Sequence, residues 1–108
     1  MKNNTCLFVL GMHRSGTSAL TGSLAILGAW VDSKLVAAVP SDNPKGYWEP
    51  VDVVNINDDI FSAFGMHYMT YESLPDGWKD HESLRGVRSR ISDWYEKAFA
   101  ASSLIVLT

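Results

Sequence analysis

Residues 6–10 are apolar without a break, and the run predicts a short strand buried on both faces. It stops at Gly11, where a polar, glycine-flanked turn opens an amphipathic stretch. Over residues 17–27, Ala19, Leu20, Leu24, Ile26 and Leu27 form an apolar stripe that predicts a helix, with Gly28 as its stop. Residues 29–50 then lose regular period and gain Pro40, Pro44, Gly46 and Pro50, which predicts a long connection of the kind that forms lids or binding segments. Helical spacing returns in Val53, Ile56, Ile60, Phe61 and Phe64, started by Glu49-Pro50 and closed by Gly65. An aromatic-rich loop follows over residues 66–82, with a turn at Pro75-Asp76-Gly77; it is read as a cover on the core or as the wall of an acceptor pocket. The clearest amphipathic helix carries Leu84, Val87, Ile91, Trp94, Tyr95, Ala98 and Phe99. Ser102-Ser103 breaks it, and Leu104–Leu107 reads as a second buried strand.

The strand, turn and helix at the front carry the chemistry. Gly11 and Gly16 have the spacing of the phosphate-binding G-x-x-x-x-G-K-[ST] loop, with Thr17 where the lysine would stand. Glycines let successive backbone N–H groups curl inward, and the helix that follows adds roughly half a positive charge at its first turn. Thr17 and Ser18 add hydroxyl donors, while His13 and Arg14 are the nearby cations. Loss of the lysine removes the usual case for magnesium-dependent ATP hydrolysis.

The loop His13-Arg14-Ser15-Gly16-Thr17-Ser18 resembles the 5′-phosphosulfate-binding loop of the sulfotransferases. The stretch Asn43-Pro44-Lys45-Gly46-Tyr47-Trp48-Glu49 resembles a segment common in bacterial members of that family. The resemblance covers the first two thirds of the chain and is looser beyond Phe64. It implies an α/β chain, a P-loop-like three-layer αβα fold with a parallel sheet, of which residues 1–108 would form a single, partial domain. It also implies metal-free transfer of a sulfuryl group from 3′-phosphoadenosine-5′-phosphosulfate (PAPS) to a hydroxyl or amine of a small-molecule or carbohydrate acceptor. Under it, Gly11, His13, Arg14, Ser15, Gly16, Thr17 and Ser18 would bind the donor, and Arg14 would steady the bridging oxygen as the phosphate leaves. Glu49 is the first candidate for the base that takes the acceptor proton, and His67 the second. Members of the family continue past the second strand into an Arg and Ser motif for the 3′-phosphate, which nothing here matches. The chain is therefore expected to be half of a larger fold, with the sheet completed by an oligomer or by a missing C-terminal half. The alternatives are a P-loop nucleotide kinase or NTPase, and a non-catalytic remnant that binds a nucleotide or a partner.

Composition narrows the classes. The chain has 108 residues, 46% hydrophobic and 19% charged, enough apolar material for a packed core. A net charge of −3 argues against nucleic-acid binding, which needs a basic face. Cys6 is the one cysteine and reads as a small buried hydrophobe, so no internal disulfide forms. The apolar run after Met1 is too short for a signal peptide, and no stretch approaches the roughly 20 apolar residues that span a bilayer, so a cytoplasmic protein is expected. Asp58 and Asp59 diverge by about 100° on a helix, and His67 and His81 have no metal spacing, so no metal is expected. Arg85, Arg88 and Arg90 read as a solvated basic face, with contact to an anion as the functional reading.

Overall fold

In the computed structural model, residues 3–11, 15–41, 46–70 and 72–108 are described. The chain is mixed α/β, with a two-strand parallel sheet and three helices: β1 (Thr5–Phe8), α1 (Thr17–Ile26), α2 (Val51–Ala63), α3 (Arg85–Ala101) and β2 (Leu104–Leu107). Two short 3₁₀ turns, Trp78–Asp80 and Glu82–Leu84, lead into α3. β1 and β2 pair in parallel from Thr5↔Leu104 to Phe8↔Leu107. On the other edge of β2, the Trp30 amide donates to the Leu104 carbonyl and the Trp30 carbonyl accepts from the Val106 amide, each at 3.0 Å. β2 is thus held from both sides.

Alternation along the strands sorts the core into two clusters. Cys6, Ile105 and Leu107 face α2 and α3, where they meet Val53, Trp94 and Ala98. Leu7, Val9 and Val106 face the other way and meet Ala29, Val31 and Leu24 of α1. Aromatic rings extend the first cluster. Trp94 lies 6.1 Å from Trp30 and 5.2 Å from Tyr95, edge to face with the latter, and Tyr95 stacks on Phe99 at 6.1 Å. A buried tryptophan of this kind is worth about 3–5 kcal/mol against alanine.

The helices over residues 51–63 and 85–101 follow the sequence pattern closely. Pro50 precedes α2 with extended backbone and accepts from the Val54 amide, and Asp52 in the first turn suits the helix dipole. Ahead of α3, the Arg88 guanidinium donates to the Lys79 and His81 carbonyls, tying down both 3₁₀ turns. Arg85 pairs with Glu82, and Arg90 with Asp59. Each of the three arginines read as a basic face has a protein partner.

Two expectations about burial are corrected. The run over residues 6–10 is not buried on both faces: the strand ends at Phe8, Val9 is buried, and Phe8 and Leu10 are exposed. The cause is position, since β1 is an edge of the sheet. Most of the stripe on α1 is also turned outward, with Ile26 86% and Leu27 82% exposed and Leu20 half exposed, while Leu24 alone of its large residues packs on the core. The buried residues of α1 are Thr21 and Gly22. Thr21 shares a hydrogen bond with the Thr108 hydroxyl, and Gly22 lies under the Trp48 ring, so small residues set the side on which the helix docks. Among the described residues, no helix is long and apolar enough to cross a membrane.

Candidate functional site

The turn between β1 and α1 is closed by contact between its two ends. A Cβ on Gly11 would stand 2.5 Å from Ser15 Oγ and 3.0 Å from Thr17 Cγ2. Only a glycine lets the strand end come this near the helix start. Gly16 sits at φ +93° in the left-handed region, where a side chain is strained, and its carbonyl accepts from the Leu20 amide to begin α1. The cap residue, Gly16, has no side chain with which to accept from the first-turn amides. Gly11, Ser15, Gly16 and Thr17 therefore gather at the positive end of α1. His13 and Arg14 lie outside the described residues.

Ser18 faces a different partner. Its hydroxyl donates to the Tyr47 carbonyl at 3.0 Å. One helical turn further, the site of a Cβ on Gly22 is 3.1 Å from Trp48 Cε2 and Nε1, so the indole packs directly against the helix where a side chain would otherwise stand. Trp48 holds φ +60°, a rare conformation for a bulky residue, next to Gly46 at φ +91°. The base of this segment is closed by an antiparallel bridge between Leu35 and Pro50, with the Val36 amide donating to the Glu49 carbonyl and the Val51 amide to the Lys34 carbonyl. Two stretches singled out separately in the sequence are thus joined through Ser18–Tyr47 and Gly22–Trp48. Glu49 is half-buried at the foot of that segment. Asn43, Pro44 and Lys45 lie outside the described residues.

His67 stands apart. It is exposed, its Nδ1 accepts from the Met69 amide at 3.2 Å, and its own amide and carbonyl bond to Thr70. Its described hydrogen bonds organise its own turn, and none joins it to the Gly11–Ser18 region. Cys6 lies in the core beside Tyr95; burial pushes its thiol up, partly offset by the Tyr95 hydrogen bond, so it stays protonated.

The most connected polar group of the core, Asp32, is absent from the sequence reading. It is buried, and Oδ2 accepts from the Trp94 indole at 2.9 Å and from Lys97 Nζ at 3.0 Å, while Oδ1 accepts from the Lys34 amide at 3.2 Å. Burial by itself raises the Asp32 carboxyl, but these donors and the Lys97 charge outweigh it, so the group ends below the ordinary carboxylate value. The only sequence signal is a lone carboxylate directly after Ala29, Trp30 and Val31. Among the described residues, no group of three or more His, Cys, Asp or Glu side chains is placed to hold a metal ion.

Comparison with known proteins returns no match: no family model fits the chain, and no curated protein or solved structure is significantly similar to it.

Proposed function

We propose that the chain is sulfotransferase-like and binds the phosphosulfate end of PAPS in the turn between β1 and α1. The observation that carries this is the closure of Gly11 against Ser15 and Thr17 at a helix N-terminus whose cap residue is a glycine. A Cβ at Gly11 would fill the space the curl needs, and Gly16 supplies the left-handed step into the helix. The first-turn amides of α1, with the hydroxyls of Ser15, Thr17 and Ser18, are donors suited to a 5′-phosphate, and Arg14 and His13 add positive charge in the same turn. The finer reading of the fold as a P-loop-like three-layer αβα unit is supported by the parallel β1–β2–Trp30 order, with α1 packing on one face and α2 and α3 on the other.

Bound PAPS would supply the activated S–O bond. The chain's own work is to hold the phosphate oxygens in place, to set Arg14 against the charge that grows on the leaving oxygen, and to take the acceptor proton. Glu49 is the preferred base over His67, because its segment is tethered to α1 whereas His67 bonds within its own turn. The acceptor, a small molecule or carbohydrate with a hydroxyl or amine, would meet the donor beside the Tyr47-Trp48 segment. A cytoplasmic setting fits the free thiol of Cys6.

Calorimetric titration with 3′-phosphoadenosine-5′-phosphate and with ATP, each with and without magnesium, tests the reading. Metal-indifferent binding of the former supports it. Magnesium-dependent preference for ATP moves the chain to the kinase and NTPase class, and no binding of either leaves a non-catalytic remnant.

A further inference from the structure

The two sides of the Leu35–Pro50 bridge are tied to α3 by one network of charges. Asp32 Oδ2 accepts from Lys97 Nζ at 3.0 Å, Lys97 Nζ lies 4.0 Å from Asp52 Oδ2, and Lys34 Nζ pairs with Asp52 Oδ1 at 3.3 Å. Asp32 and Lys34 come just before the bridge on one side, and Asp52 just after it on the other. Asp32 Oδ1 closes the network by accepting from the Lys34 amide. Two carboxylates and two lysines balance, so the network offers no net charge to an ion, and what it joins is the chain itself. Its members are unequal. The Lys34, Asp52 and Lys97 side chains are 65%, 42% and 51% exposed, and ion pairs between such groups contribute little. Asp32 is buried and also accepts from the Trp94 indole, which makes it the anchor.

The segment above the bridge needs one. Gly46 and Trp48 both have positive φ, and a bulky residue keeps φ +60° only where its surroundings over-determine it. One set of constraints comes from α1, through Ser18–Tyr47 and Gly22–Trp48. The other is the pair of bonds from the Val36 amide to the Glu49 carbonyl and from the Val51 amide to the Lys34 carbonyl. This second set depends on where Lys34 stands, and the Lys34 amide is held by Asp32.

We propose that Asp32 is a positioning residue for the Tyr47–Glu49 segment: held by Trp94 and Lys97 of α3, its carboxylate fixes the turn at Lys34 and so the place of Trp48 and Glu49 against α1. That Glu49 then takes the acceptor proton rests on the sulfotransferase reading, whereas the placement of its backbone does not.

Asp32→Asn, followed by residue-resolved amide hydrogen exchange and NMR, tests the proposal. An amide nitrogen cannot accept, so an asparagine that keeps the Lys34 bond turns its own donor toward those of Trp94 and Lys97. Exchange at Val36 and Val51 should speed up at least about tenfold more than at Val9, whose amide bonds to Leu107 across the sheet. The Gly22 resonances, shifted by the Trp48 indole, should move toward their positions in Trp48→Ala. Lys97→Met, at a half-exposed residue, carries the same test in milder form and should act in the same direction. Lys34→Met removes an exposed pair and should leave Val36, Val51 and Gly22 unchanged. A side chain that serves only the packing of α3 would speed Val9 at least as much as Val36 and Val51 and leave Gly22 in place, and that result overturns the proposal. So does a Lys34→Met variant that opens the bridge as far as Asp32→Asn. Titration of the wild type with 3′-phosphoadenosine-5′-phosphate judges the site separately: absence of binding removes the sulfotransferase reading and leaves the exchange result to decide the role of Asp32.

Discussion

The Ser18 hydroxyl donates to the Tyr47 carbonyl at 3.0 Å, joining the first turn of α1 to a segment far along the chain. A hydroxyl has one proton to give, so in the proposed site an arriving phosphate competes with Tyr47 for it. Ser18→Ala removes the tether and a donor together. The expected outcome is about 1 kcal/mol of lost stability in thermal unfolding, and roughly tenfold weaker binding of 3′-phosphoadenosine-5′-phosphate in calorimetry.

Gly11→Ala separates the turn from the rest of the fold. Its new methyl group would stand 2.5 Å from Ser15 Oγ, which must move. The strand and helix on either side keep their packing, so unfolding should change by less than about 1 kcal/mol. Donor binding should fall at least tenfold, and equal affinity in wild type and variant would dismiss the turn as the anion site.

Asp32 sets an acid limit on stability. Its carboxyl is lower in the fold than its ordinary value of 3.8, so its contribution is complete above that value and disappears as pH falls through the lower folded value. Asp32→Asn weakens the bonds from Trp94 and Lys97 and should cost about 1–3 kcal/mol at neutral pH. Denaturant titrations at neutral pH and near pH 3 check this: the gap between wild type and variant should be wide at neutral pH and narrow at acid pH.

Arg88 tests whether the basic residues in the first half of α3 serve the fold or a ligand. Its guanidinium donates to the Lys79 carbonyl at 2.7 Å and to the His81 carbonyl at 3.2 Å. Arg88→Met keeps much of the aliphatic stem and removes both bonds. We expect a loss of about 1–2 kcal/mol in chemical unfolding with unchanged affinity for 3′-phosphoadenosine-5′-phosphate. A fall in affinity instead would assign Arg88 to the 3′-phosphate.

The sequence made some of these features plain and hid others for physical reasons. α3 was legible because Ile91, Trp94, Tyr95 and Ala98 repeat at the helical period and all meet the core. The turn was legible because two glycines at fixed spacing reflect a local backbone need. The outward stripe of α1 was not, since apolar periodicity reports which residues prefer burial and not which side the neighbours occupy. That side is decided by Trp48 and Thr108, remote in sequence. Asp32 had no local pattern because its two side-chain donors come from α3, 62 and 65 residues away. Glu49 stands out in the sequence as the end of the Lys45–Glu49 segment and His67 by residue type, and the tether of that segment to α1 separates their neighbourhoods.

The pairing of Thr5 with Leu104 has a consequence for synthesis on the ribosome. The first strand emerges early and waits for its neighbour until residues 104–107 have cleared the exit tunnel. Meanwhile α2 and α3, whose mutual contacts are closer in sequence, are free to associate. During that interval an uncharged strand rich in Leu, Phe and Val is open to strangers, so expression yield should respond to chaperone supply more than final thermal stability does.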